Sequence, residues 1–222
     1  MNAKLKWTAV LMLISLNAAS DAPPERIAPD ATGVAPYAQA AMDAYAEGYA
    51  FIERAARIEE DLRDHRQAAR DGKTRLEAER ETAYRDALAR FQQALSADQR
   101  MYEARTYVGY ALRKLGHYAD ALRAYEAALA LKPNYVRAIE YQGEAYLGLD
   151  RFEDAKRNYL RLYALDEYQA GRLLDAMHRW LALKRERGAL SAQTKDAEAW
   201  LTDRPLTPAS SDRLDPIGLA HW

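Results

Sequence analysis

The chain has 222 residues, of which 32 are basic and 33 are acidic, and it contains no cysteine. The absence of cysteine excludes disulfides, thiolate metal sites, cysteine nucleophiles and cysteine-linked lipid anchors. The net charge of −1 lacks the basic surplus that nucleic-acid binding favours, so we expect no nucleic-acid partner.

Residues 1–20 have the three-part layout of a secretory signal peptide. Lys4 and Lys6 form a positive start, an apolar run extends from Trp7 to Leu16, and small residues end the segment. The apolar run is shorter than the roughly 20 residues that a membrane-spanning helix needs. We therefore expect cleavage near residues 19–22, a periplasmic or secreted protein, and no stable membrane span after cleavage. An uncleaved membrane anchor is the alternative.

The next two segments are a linker and a helical hairpin. Residues 21–36 contain four prolines and one glycine, a composition that predicts an extended linker. Beyond them alanine, leucine, glutamate and arginine dominate, and these residues favour helices. We expect residues 37–101 to form an N-terminal hairpin: a helix from Tyr37 to Ala69, a turn at Asp71–Lys73 and a helix from Thr74 to Ser96.

The first helix of this hairpin has two different halves. Its beginning carries an apolar stripe, which we expect to be buried, at Met42, Tyr45, Tyr49 and Ile52. From Glu53 to Arg70 nearly every other residue is charged, so we expect that end of the helix to be solvated. The second helix carries a degenerate form of the repeat that follows it.

A period of 34 residues organises the middle of the chain. Residues 102–135 and 136–169 are alike at this offset, and such self-similarity indicates stacked helical hairpins. Gly109 and Gly143 lack a side chain, so a neighbouring helix can approach closely, and Gly116 stands where a helix must stop and turn. The identical pairs are Ala104/Ala138, Tyr107/Tyr141, Gly109/Gly143, Ala111/Ala145, Leu115/Leu149, Asp120/Asp154, Ala121/Ala155, Arg123/Arg157, Tyr125/Tyr159, Ala130/Ala164 and Leu131/Leu165.

These two units resemble tetratricopeptide repeats, which place small and large apolar residues at set positions. The matching residues are Val108, Gly109, Leu112, Tyr118, Ala121, Tyr125, Ala128 and Pro133 in the first unit, and Ile139, Gly143, Tyr146, Phe152, Ala155 and Tyr159 in the second. The departures from the pattern are Arg105, Gln142, Leu162 and Glu167. The resemblance implies an all-α fold, a short right-handed superhelix of antiparallel helical hairpins (an α-solenoid), whose first helices line a concave groove.

The resemblance also implies that this groove binds a segment of another protein or a peptide. By position in the repeat, the residues that face the partner are Glu103, Thr106, Tyr110, Arg113 and Lys114 in the first unit and Arg137, Glu140, Glu144 and Leu147 in the second. Tyr110 is expected to expose its ring, and Arg113 to pair with a carboxylate or a backbone carbonyl. The alternative is an ordinary solvated face. Tyr107 and Tyr141 either edge the groove or pack within the stack, and we favour packing.

The terminal part is predicted to close the stack. Residues 170–202 are expected to form capping helices, because an open solenoid must cover the apolar face of its last unit. The first of them should extend over 168–186 and end at Gly188, and a short helix should follow over 194–202. Residues 203–222 are expected to form a flexible tail. First-helix positions of a third unit are occupied by Leu173, Ala176, Met177 and Trp180.

The sequence carries no catalytic or metal-binding pattern. None of the four histidines has a second ligand at helical spacing in a setting that suits a metal, and His178 with Asp175 is interpreted as a surface capping pair. A glycine-rich phosphate loop and a serine elbow are both missing. We therefore predict that the protein is not an enzyme and has no catalytic residues, metal or cofactor.

We predict an exported protein–protein interaction module that binds a partner segment in the concave groove. The alternative is a homo-oligomeric structural protein or a cell-envelope assembly factor. In that case the capping helix or the long helix over 37–69 would mediate self-association.

Overall fold

The computed structural model describes residues 37–64, 70–188 and 191–204. The predicted signal peptide, the linker over 21–36 and the tail from residue 205 onward lie outside the described residues.

The described residues form eight α-helices and no strand. Consecutive helices pack against each other along the chain, and the first helix of one hairpin also packs against the first helix of the next. This arrangement is an all-α solenoid, as the repeat predicts. The helices are α1 (Gln39–Asp64), α2 (Arg70–Ala97), α3 (Tyr102–Lys114), α4 (Tyr118–Leu131), α5 (Val136–Gly148), α6 (Phe152–Leu165), α7 (Glu167–Glu186) and α8 (Ala192–Thr202).

The predicted turn at Asp71–Lys73 is wrong, because α2 already begins at Arg70. A helical glycine destabilises a helix by only about 1 kcal/mol relative to alanine, so Gly72 alone does not end one. Ion pairs one turn apart support this part of α2, including Arg75 Nε to Glu79 Oε1 at 2.8 Å. The described part of α1 ends at Asp64, and residues 65–69 lie outside the described residues.

The charged half of α1 was expected to be solvated, but one face of it is buried. Ala55 and Ile58 are buried in this half, and the side chain of Glu59 is only 13% exposed. The apolar stripe continues at three- and four-residue steps beneath the charges, so one face of α1 stays in the core along most of its length.

The turns inside the two repeats use the same backbone geometry. Gly116 and Asp150 both have positive φ, of 83° and 60°. The N–H of Gly116 donates to the carbonyl of Arg113 at 2.9 Å, and the N–H of Asp150 donates to that of Leu147 at 3.0 Å. The left-handed conformation ends each first helix and turns the chain back, and aspartate tolerates it better than most residues other than glycine.

Glycine at the same position of both repeats lets a neighbouring helix approach closely. A Cβ added at Gly109 would lie 2.5 Å from the Tyr125 ring, and one added at Gly143 would lie 2.5 Å from the Leu173 side chain. The first contact is between α3 and α4, the two helices of one hairpin. The second is between α5 and α7, the first helices of successive units. The repeat therefore needs glycine at this position in both units, for two different neighbours.

A row of aromatic rings runs through the centre of the stack. The ring centroids of Tyr107 lie 5.8 Å from Tyr45, 5.3 Å from Phe91 and 6.0 Å from Tyr110, and Tyr110 lies 5.1 Å from Tyr141. All five side chains are buried. This aromatic row, Tyr45, Phe91, Tyr107, Tyr110 and Tyr141, joins α1, α2, α3 and α5 into one core. The packing expected for Tyr107 and Tyr141 is confirmed.

The last two helices close the described end of the stack. Leu173, Met177 and Trp180 of α7 are buried against the second repeat, and the Trp180 ring stacks on Phe152 at 5.4 Å. A positive φ of 64° at Gly188 follows α7. The Ser191 side chain then caps the start of α8. Among the described helices, none combines the length and apolar character needed to cross a lipid bilayer.

Replacing Gly109 with alanine should lower the free energy of unfolding by about 1–3 kcal/mol, because the new methyl group must displace the buried Tyr125 ring. The midpoint of urea unfolding measures the change. Gly171→Ala is the matched control, because that glycine lies in α7 with no atom within 4 Å of an added Cβ. The control should be stabilised by about 0.5–1 kcal/mol. A loss of stability in both variants would contradict the close approach at Gly109.

Candidate functional site

A cavity of about 440 Å³ opens between the first helices of the solenoid. This volume lies within the roughly 300–1,000 Å³ that is typical of ligand pockets. The walls come mainly from α3, α5 and α7, with one residue each from α1, α2 and α4. The lining residues are Glu59, Arg80, Arg113, Lys114, Tyr118, Glu144, Leu147, Gly148, Arg172, Ala176, Arg179, Trp180 and Leu183.

The cavity lies at the carboxyl ends of α3 and α5. Of the residues predicted to face a partner, Arg113, Lys114, Glu144 and Leu147 line it. They belong to the last turns of their helices, so the repeat brings together side chains that are about 30 residues apart. Leu147 is only 5% exposed and contributes to the wall more than to the opening. Their contact with a partner stays a prediction.

The other predicted residues lie nearer the amino ends of α3 and α5 and do not line the cavity. Thr106 is fully buried, and its hydroxyl donates to the Tyr102 carbonyl at 2.9 Å. Glu103 accepts a hydrogen bond from the Tyr37 hydroxyl at 2.8 Å. Arg137 is 9% exposed. The expectation that Thr106 and Arg137 face an open groove is wrong, because neighbouring helices cover this end of the stack.

The expectation of an exposed ring at Tyr110 is also wrong, because its side chain is only 1% exposed. The ring belongs to the aromatic row and also contacts Tyr84 of α2, at 6.2 Å between centroids. Burying an aromatic ring between two others stabilises the fold more than leaving it in a wet groove. Tyr110 therefore lies in the core and does not line the cavity.

Two cations of the cavity lie over these buried rings. The Arg113 guanidinium is 5.1 Å from the Tyr110 centroid and 5.5 Å from that of Tyr141. The Lys114 ammonium is 5.5 Å from Tyr84 and 5.8 Å from Tyr110. A cation over the negative face of a ring is attracted to it, so the aromatic core helps to hold both charges in place.

Glu59 connects three helices at the edge of the cavity. Its carboxylate accepts a hydrogen bond from the Tyr84 hydroxyl at 2.9 Å and pairs with the Lys114 ammonium at 2.8 Å. These partners lie on α2 and α3, whereas Glu59 lies on α1. The interaction therefore fixes the charged end of α1 against the first repeat.

Glu144 lies among the cations of the cavity. Its carboxylate forms an ion pair with Arg113. Burial raises the pKa of the Glu144 carboxyl, but the positive charges of Arg113, Arg179, Arg172 and Lys114 outweigh burial and hold the pKa below its ordinary value. Glu144 is therefore ionised at neutral pH and neutralises part of the positive charge around it.

A second ion pair is more deeply buried, and one of its members, Arg172, is also part of the cavity wall. Arg172 Nε is 3.0 Å from Glu140 Oε1, and the two side chains are 6% and 1% exposed. The expectation that Glu140 faces an open groove is therefore wrong. Its carboxylate instead compensates the buried guanidinium of α7, which would otherwise lose its hydration without a partner.

The far wall of the cavity is one face of α7. Arg172, Ala176, Arg179, Trp180 and Leu183 follow each other at steps of one, three or four residues and share this face. Ala176 and Trp180 were predicted at first-helix positions of a third unit, and capping or self-association was predicted for this helix, but no part of it was predicted to line a groove. The helical spacing of Arg172 and Arg179, seven residues apart, was the available signal.

Asp150 fixes the end of this wall. Its carboxylate accepts a hydrogen bond from the Trp180 indole at 3.1 Å and pairs with the Lys184 ammonium at 2.5 Å. The Lys184 hydrogen bond, with a smaller contribution from Trp180, lowers the pKa of the Asp150 carboxyl despite partial burial. The turn residue of the second repeat is thereby attached to α7.

No group of three or more histidine or carboxylate side chains that could hold a metal occurs within residues 37–64, 70–188 and 191–204. The Nε2 atom of His178 lies 2.8 Å from the Arg204 carbonyl oxygen, so this ring connects α7 to the end of α8.

Comparison with known proteins adds a family match. Residues 76–136 and 109–170 match the family model described as tetratricopeptide repeat. The two overlapping matches cover α2 to α6 and reach the start of α7, which includes both repeats and the degenerate second helix of the hairpin before them. The search of curated proteins found no match.

Replacing Glu140 with alanine should lower the free energy of unfolding by about 3 kcal/mol, because it leaves the buried Arg172 charge without its nearest partner. The effect should lie at the low end for a buried pair, since Glu144 remains close to the same guanidinium. Urea unfolding at pH 7 measures the loss.

The control for this prediction is Glu153→Ala, which removes a surface pair with Lys156 at 3.2 Å. An exposed pair of this kind contributes about 0–1 kcal/mol, so this variant should unfold close to the unaltered protein. Equal losses in the two variants would show that the Glu140–Arg172 pair has no special role.

Proposed function

We propose, on the premise that residues 76–170 are tetratricopeptide repeats, that this chain is an exported binding module. Tetratricopeptide repeats serve protein–protein interaction. The single observation that supports the binding mode is the open cavity between α3, α5 and α7, at the place where the first helices of successive hairpins meet. A segment of a partner protein would enter this cavity, and no catalytic step is assigned to the chain.

The cavity offers both kinds of contact that a protein segment needs. Trp180 and Leu183 supply apolar surface, and Leu183 is 46% exposed. The cations of α3 and α7 supply hydrogen-bond donors that would fix the register of the bound segment. Because the walls are helices packed on a common core, the site is largely preformed, and less entropy is lost on binding.

A photo-crosslinking residue tests where the partner binds. With p-benzoyl-phenylalanine in place of Leu183, we expect a covalent adduct with another protein in living cells. The control places the same group at Leu160, which is 52% exposed on α6 and does not line the cavity. Mass spectrometry of the adduct identifies the attached segment. The absence of an adduct at Leu183, or the same adducts at both positions, would reject the cavity as the binding site.

A homo-oligomeric structural role, including assembly work at the cell envelope, is the second candidate. The observation that favours it is an exposed apolar surface on α6, where Leu160 and Tyr163 are 52% and 60% exposed. These residues lie three positions apart and share one side of the helix. In this case the probe at Leu160, and not the one at Leu183, would form an adduct of twice the mass of the chain.

Export is proposed from residues 1–20. We expect osmotic shock to release the protein from the periplasm with its amino terminus near residue 21, because a signal peptidase removes the apolar segment. Deletion of residues 2–20 should leave the chain in the cytosol. Recovery of the intact chain in the membrane fraction would instead support an uncleaved anchor.

A further inference from the structure

One side of α6 carries a stripe of side chains of which Trp200 of α8 contacts only the first part. The Lys156 ammonium lies 5.7 Å from the Trp200 centroid, and the Tyr159 ring lies 5.3 Å from it. One turn further along α6, Leu160 and Tyr163 are 52% and 60% exposed. The side of α6 that packs against α8 therefore continues as an exposed apolar surface.

The following segment of the chain starts beside this surface. Arg204 is the last described residue, and its guanidinium lies 4.2 Å from the Trp200 centroid. Trp200 contacts Tyr159, and the Tyr159 ring is 6.0 Å from that of Tyr163. Burial raises the pKa of the Tyr159 hydroxyl and the positive charge of Arg204 partly offsets this, in agreement with their proximity. Short steps between side chains thus lead from Arg204 to the exposed part of α6.

We infer that residues 214–222 bind to the α6 patch, which consists of the exposed residues Leu160, Tyr163 and Ala164. The sequence of this segment is LDPIGLAHW, in which five of nine residues are apolar. The nine residues of 205–213 can span up to about 30 Å, which is enough to reach the patch from Arg204. The inference is independent of the proposed function, because the α6 patch does not line the cavity.

The covalent connection makes this binding favourable although the α6 patch is small. A short linker holds the segment near the patch at an effective concentration in the millimolar range, so a contact of weak intrinsic affinity is still occupied. Prolines at positions 205, 208 and 216 restrict the backbone of the unbound segment. Less conformational entropy is therefore lost when it binds.

The size of the α6 patch favours this segment over a second copy of the chain. A stable interface between two proteins buries about 800 Å² on each side and involves about 20–30 residues. The patch offers three residues, which suits a short tethered segment better. Binding of the segment would also cover Leu160 and Tyr163, so it would compete with self-association through α6.

The point where the segment leaves α8 favours the α6 patch over the cavity. The Arg204 carbonyl oxygen lies 2.8 Å from Nε2 of His178 on α7. Ala176 and Trp180, which line the cavity, are each two positions from His178. Residues two positions apart point in nearly opposite directions from an α-helix, so the chain continues on the side of α7 that faces away from the cavity.

Disulfide formation tests the inference, since the chain has no cysteine of its own. The test pair is Ala164→Cys with Ala220→Cys, and the control pair is Ala199→Cys with Ala220→Cys. Ala199 is exposed on α8, five positions before Arg204, so an unbound segment would reach it at least as often as it reaches the α6 patch. In a glutathione buffer, we expect an effective concentration at least about tenfold higher for the test pair than for the control pair.

A third protein carries the test pair together with Leu160→Gln and Tyr163→Gln. Its effective concentration should fall to that of the control pair, because the apolar contacts are lost. Both side chains are largely exposed, so the fold should persist, and urea unfolding checks this.

Three results would overturn the inference. Equal effective concentrations for the test and control pairs would show that the segment does not prefer the α6 patch. An unchanged value in the glutamine variant would show that Leu160 and Tyr163 do not hold it. A disulfide that joins two chains, seen as a doubled mass, would show that a second copy occupies the patch instead.

Discussion

Burial of aromatic rings between neighbouring hairpins is the interaction on which the rest of this structure depends. Tyr107 and Tyr110 of α3 contact rings from α1, α2 and α5, so one short helix is held on several sides. Fully burying such a side chain stabilises the fold by about 1.5–3 kcal/mol, and paired rings add about 0.5–1.5 kcal/mol. A solenoid has no central core, so these contacts between neighbours are its main source of stability.

The same rings determine the chemistry of the cavity. Because Tyr110 is drawn into the core, the next turn of α3 brings Arg113 and Lys114 to the surface above it. Glu59, Glu144 and Glu140 then neutralise part of the positive charge from three different places. The result is a polar site on a rigid aromatic base, in which the core fixes where the charges lie.

The last long helix of the described chain has two roles. One face of α7 covers the apolar end of the second repeat through Leu173, Met177 and Trp180. The neighbouring face presents Arg172 and Arg179 to the cavity. Asp150 connects the two roles, since the turn that ends α5 also holds Trp180 and Lys184. A helix that only closed the stack would not need this arrangement of charges.

The sequence by itself determined the helical hairpins of the two repeats, their period and the turns inside them. Gly109, Gly143 and Gly116 could be interpreted locally, because close approach and a left-handed turn depend on the residue itself and its repeat position. The pair Asp71–Gly72 led to a wrong prediction of a turn, because a turn signal of two residues is weaker than the preference of the surrounding residues for a helix.

Only the tertiary structure decided which side chains line the cavity. Repeat positions assigned Tyr110 and Glu140 to an open groove, but burial depends on which rings and charges the neighbouring helices bring. Arg80 and Arg179 joined the site for the same reason, since a cavity is defined by distances across helices that are far apart in the chain.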